Sequence, residues 1–119
     1  MSVATFKMLA DPQGEKIPSN LIPKASFTSD DTSETTTPFY RAEDGSVTAG
    51  IWECGPCKLE IGAYPVDEIM TIISGSLTIT NAEGVEESFG PGEVVFASKG
   101  AGMTWHITER LKKYFMTSV

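Results

Sequence analysis

From Pro38 to Val119 the chain is cut into short apolar runs by closely spaced turn residues, and this punctuation limits its folding more than any other feature. The turns fall at Asp44-Gly45, Cys54-Gly55-Pro56, Ser74-Gly75, Asn81 to Gly84, Gly90-Pro91-Gly92, Lys99-Gly100 and Gly102. Such spacing predicts an antiparallel sandwich or barrel. Between the turns the pattern has period two. Leu59, Ile61 and Ala63 alternate with Glu60, Gly62 and Tyr64, and Leu77 and Ile79 alternate with Ser76, Thr78 and Thr80, so each strand offers one face for burial. Glu68 to Ile73 is almost continuously apolar or β-branched, which predicts a central strand covered on both sides. Leu111 to Val119 fits a strand or a short helix by pattern. Tyr114, Phe115 and Thr117 suit a pleat, which favours the strand. Asn81-Ala82-Glu83-Gly84 predicts a hairpin loop and Gly90-Pro91-Gly92-Glu93 a tight turn.

The first 37 residues differ. Pro12, Pro18 and Pro23 interrupt them, Pro38 follows directly, and Thr28 to Thr37 is polar without apolar periodicity. The expected organisation is an irregular arm, residues 1–37, that packs on the barrel, adds an edge strand or crosses to a second subunit, followed by one barrel, residues 38–119. At 119 residues there is room for one domain. Nine Lys and Arg against sixteen Asp and Glu give a net charge of −7, which repels phosphate backbones and anionic membranes. Neither nucleic acid nor membrane is an expected partner. No apolar stretch has the length of a transmembrane helix or signal peptide, and two cysteines are too few for a secreted disulfide scaffold, so the expected location is cytoplasmic.

Gly50-Ile51-Trp52-Glu53-Cys54, then Pro56, Asp67-Glu68, Ile72 to Thr80, Gly90 to Phe96, Gly100, Thr104-Trp105 and Lys113-Tyr114 follow one another in an order that resembles the cupin superfamily. Within it the chain looks like the small single-domain cupins related to the ureidoglycine aminohydrolase cupin domain and the ethanolamine-utilisation cupin. The resemblance implies an all-β, antiparallel jelly-roll β-barrel of the RmlC-like type with an irregular N-terminal arm. It also implies a homodimer, because a small barrel with open edge strands gains from covering them.

The first cupin motif places Glu68 at the family's glutamate, seven positions before Gly75. The two histidine positions fall on Gly62 and Tyr64, or on Ile61 and Ala63. In the second motif Ser98 stands for the proline, Gly100 for the glycine and Met103 for the histidine. A cupin metal wants three or four converging donors, usually imidazoles, and one carboxylate does not replace them. The expectation is therefore no cofactor, with weak divalent-ion binding left open. The single histidine, His106, falls opposite Met103 and Trp105 by strand alternation and belongs on the surface or at an interface.

Trp52, Tyr64, Glu68, Met103 and Trp105 are the candidate ligand-pocket residues, since small-molecule sites are mostly apolar and aromatic with a few polar groups. The same residues would equally serve to fill the barrel. Glu68 is a candidate general acid or base if burial raises its pKa, or else a structural partner of a backbone group or lysine. Cys54-Gly55-Pro56-Cys57 has the form of a dithiol redox loop. That chemistry needs the first thiol at a helix N-terminus, whereas Lys58 to Tyr64 alternates as a strand, so a turn with incidental thiols is preferred. A small-molecule-binding cupin leads, an acid–base enzyme using Glu68 is the alternative, and a dithiol protein using Cys54 and Cys57 is a minor one.

Overall fold

The structure, a computed structural model, describes residues 5, 7–10, 17–18 and 34–119. Its described elements are all strands: β1 (Ile17–Pro18), β2 (Glu34–Arg41), β3 (Val47–Cys54), β4 (Cys57–Ile61), β5 (Asp67–Asn81), β6 (Glu86–Phe89), β7 (Val94–Ala97) and β8 (Met103–Ser118). Every pairing is antiparallel, in the order β1-β2-β3-β8-β5-β6, with β4 also on β8 and β7 also on β5. The fold is the antiparallel all-β architecture expected from the punctuation, and it is consistent with the jelly roll that the cupin resemblance implies. Among the described residues no helix is long and apolar enough to cross a membrane.

Two long strands organise the barrel. β5 and β8 pair with each other along almost their whole length. The first half of β8 carries β4 at its other edge and the second half carries β3. The first half of β5 carries β7 and the second half β6. Where the halves meet, the β5–β8 register shifts repeatedly between Ile72 and Leu77. Irregularities of this kind bend a strand and increase its twist, which folds one continuous sheet into two facing layers. Gly75 lies in this bend at φ +90°, and a Cβ there would overlap the Arg110 carbonyl oxygen of β8.

Side chains alternate across the rows. Trp52, Lys113 and Ile72 form one inward row, and Phe115, Met70 and Val95 the next. From the other layer, Leu59 with Trp105 and Cys57 with Ile107 and Leu77 face them. All of these but Lys113 belong to one core cluster.

Two features differ from the sequence expectations. The first long strand, β2, begins at Glu34 rather than at Pro38, because β-branched Thr35, Thr36 and Thr37 pair with β3 despite their polarity. The rest of the expected arm falls almost wholly outside the described residues, apart from the two-residue β1 at the edge of β2. The Glu68 to Ile73 segment is central, as expected, but covered on one face only: Glu68, Met70 and Ile72 are buried while Ile69 is 42% exposed. Leu111 to Ser118 is the second half of β8, the strand that Tyr114, Phe115 and Thr117 favoured.

Candidate functional site

Strand alternation aims Trp52 from β3, Glu68 from β5 and Trp105 from β8 into the barrel, and the loop before β5 adds Tyr64. The Tyr64 backbone is held in place by two hydrogen bonds to the loop before β8, its N–H donating to Ala101 O and its carbonyl accepting from Gly100 N–H. The Trp105 indole is the hub. The Trp52 ring meets it edge-on at 6.2 Å between centroids, Tyr64 stacks on it at 6.1 Å, and its Nε1–H donates to Met103 Sδ at 3.2 Å. The five pocket residues expected from the sequence are thus brought together. They pack against one another, however, and Met103 also lines an open space.

That space is a shallow, widely open concavity of about 520 Å³ at the end of the barrel, lined by Glu60, Gly62, Thr80, Asn81, Met103 and Thr104 among others. The row Ile61–Met103–Asn81, where β4, β8 and β5 pair, forms its floor. Its lining has an acidic side chain and no basic one.

Glu68 makes two contacts. Its Oε1 accepts from the Tyr64 hydroxyl at 2.7 Å, and its Oε2 accepts from Lys113 Nζ at 2.5 Å. Glu68 is 7% exposed and Lys113 3%. The Lys113 ammonium also donates to Met70 Sδ at 3.3 Å and lies 4.9 Å from the ring centroids of both Trp52 and Trp105. Burial, the Glu68 charge and the hydrogen bond to it all push the Tyr64 phenol far above its usual range, so this hydroxyl keeps its proton and acts as a donor. On the far side, Trp52 Nε1–H donates to Glu34 Oε1 at 3.0 Å.

Lys113 and Glu34 did not stand out among the sequence candidates. For Lys113 the signal was available, because alternation from Leu111 through Phe115 to Thr117 puts it on the inward face. Glu34 was hidden in a run expected to be irregular.

The positions where a cupin metal would find its donors do not fit one. Gly62 and Ala63 offer no side-chain donor, Ile61 and Met103 bring aliphatic carbon and a thioether, Tyr64 holds its proton, and Glu68 has both oxygens engaged. Among the described residues no group of three His, Cys, Asp or Glu side chains could hold a metal. His106 is exposed on the outer face of β8, in register with Lys58 and Thr78. Cys54 and Cys57 are buried with their sulfurs 3.6 Å apart across the β3–β4 turn, and Cys57 opens a strand, so no helix dipole acts on either thiol.

The sequence pattern of the EutQ-like cupin domain matches residues 41–115, which is most of the barrel. The chain belongs to the EutQ-like cupin family. Solved cupin structures agree in fold. The EutQ protein of Clostridium difficile is 22% identical over 75% of this chain with a TM-score of 0.63. A Salmonella typhimurium LT2 protein named for ethanolamine utilization is 21% identical over 72% of the chain, with a TM-score of 0.62. A Pseudomonas syringae protein of the DUF861 family, of unknown function, is 18% identical over 93% of the chain, with a TM-score of 0.73. This EutQ-like cupin spans 64%, 69% and 46% of those three chains respectively. A search of curated proteins gives no match.

Proposed function

We propose that this EutQ-like cupin binds a small molecule in the concavity at the end of its barrel, with no metal and with Met103 and Trp105 as the contact between ligand and core. The observation that supports this is the depression itself, about 520 Å³ and open to solvent over most of its extent, floored by a methionine hydrogen-bonded to a buried tryptophan. The lining favours a neutral or cationic ligand rich in hydrogen-bonding groups, because Glu60 is met by no basic side chain there. Ethanolamine, for whose utilization the Salmonella relative is named, is a suitable first probe, alongside small amides, ureido compounds and amino acids. The two indole N–H groups have different acceptors, Glu34 for Trp52 and Met103 for Trp105, and serve as separate NMR reporters. Binding at the rim moves the Trp105 resonance and leaves Trp52 in place. A ligand that moves Trp52 first would overturn the rim site.

The acid–base alternative gives Glu68 the catalytic role. Against it stands the engagement of both carboxylate oxygens by Tyr64 and Lys113, which makes Glu68 a structural acceptor. Turnover abolished by Glu68→Gln in a folded protein would reverse that preference. A dithiol role is disfavoured by the burial of both thiols. The reading further includes a cytoplasmic homodimer, binding neither nucleic acid nor membrane. A row of exposed apolar side chains on the outer face of the sheet is the surface proposed for the second copy.

A further inference from the structure

The polar cluster inside the barrel is distinct from the rim concavity. Lysine is almost never fully buried unless paired, and Lys113 is buried against both tryptophans of the chain and one carboxylate. Its inward position costs desolvation, which the core must offset. The surroundings do this in a particular way. A carboxylate oxygen lies at 2.5 Å, a thioether at 3.3 Å and two indole rings at 4.9 Å, the combination that selects an organic ammonium over an alkali or divalent ion.

Divalent ions need several oxygen or nitrogen donors in a closed geometry, whereas an ammonium on a carbon stem is satisfied by one anion and π faces. The site has the second set of partners and, among the described residues, lacks the first. We propose that the Lys113 ammonium is the resident cation of this barrel: it fills an ammonium cage formed by Glu68, Met70, Trp52 and Trp105, and excludes divalent metal from the interior. The cage is a binding site for alkylammonium ions that the chain occupies with its own side chain.

Removal of the stem beyond Cβ in Lys113→Ala excises the equivalent of n-propylammonium and leaves Glu68 buried without its cation. The variant is refolded in the presence and absence of n-propylammonium chloride, with 1-propanol as the neutral control of similar shape. Tryptophan fluorescence and thermal midpoint report occupancy, since both rings face the cage. The expected result is saturable binding of n-propylammonium with recovery of the midpoint, roughly tenfold or more tighter than 1-propanol. Equal effects of the two compounds, or none from either in a folded variant, would overturn the cage. If Lys113→Ala does not fold, Lys113→Met is compared with Lys113→Met/Glu68→Gln. The double variant is expected to melt higher, because it removes the orphaned charge. A double variant no more stable than the single one would overturn the proposal. Wild-type protein is titrated in parallel with Mn²⁺ and Zn²⁺. One divalent ion per chain that disappears in Glu68→Gln would overturn the exclusion of metal.

Discussion

At the scale of single residues, the hydroxyl of Tyr64 donates to the same carboxylate that receives the Lys113 ammonium, so the two Glu68 oxygens are served by different side chains. Tyr64→Phe removes one of these donors and is expected to cost about 1–3 kcal/mol at neutral pH, measured by urea unfolding. The same substitution has a signature at alkaline pH. The folded state holds the phenol proton well above the ordinary value of 10.0, through burial first and the Glu68 charge second. As the pH rises past that ordinary value, the unfolded chain releases this proton while the folded chain keeps it. The native state then binds more protons, and stability falls with pH by about 1.4 kcal/mol per unit. Stability is fully present below the unfolded value and declines above it. Tyr64→Phe removes this component, so its stability should decline less steeply than wild type above pH ~10. Identical slopes would mean that Tyr64 ionises in the folded protein as it does in the unfolded chain.

At the scale of elements, Gly75 sits where β5 bends between the two layers, at a positive φ and against the backbone of Arg110. Gly75→Ala meets both obstacles and is expected to lose roughly 3 kcal/mol or more, read as a lower midpoint in thermal or denaturant unfolding. Gly50 in β3 has the same kind of constraint, since a Cβ there would overlap the Thr37 carbonyl of β2. Alternation and turn chemistry made most elements legible from the sequence. The hairpin at Asn81 is one example: its side-chain Oδ1 accepts from the N–H groups of Glu83 and Val85, as an asparagine opening a turn does. The start of β2 was not legible, because Thr35 to Thr37 shows no apolar periodicity and earns its place by pairing with a strand that lies later in the chain. The candidate site divides similarly. Trp52, Tyr64, Glu68, Met103 and Trp105 could be picked out by residue type and motif position. The cation that completes the cluster is charged, and an apolar-pattern search assigns charged residues to the surface.

At the scale of the whole molecule, the outer face carries a row that crosses five strands: exposed Tyr40 of β2, half-buried Ala49 of β3, and exposed Met116 of β8, Ile69 of β5 and Phe96 of β7. Phe96 is 64% exposed and Met116 48%. A two-fold contact needs a patch complementary to itself, which an apolar row provides and a row of like charges does not. The expected outcome is a dimer in sedimentation analysis that Phe96→Glu and Met116→Glu each convert to a monomer with little change in thermal midpoint. A monomeric wild-type protein, or a dimer indifferent to both changes, would rule this face out. β8 has a different consequence. It is the partner of β3, β4 and β5 and lies after all of them in the chain. During synthesis β4 gains its sheet neighbour only when the first half of β8 emerges, and β3 pairs with β2 alone until the second half follows. The β2–β3, β5–β6 and β5–β7 pairings can form earlier, since none of them uses β8. Closure of the two layers on each other is what waits for β8, the strand that joins those separate pieces into one sheet.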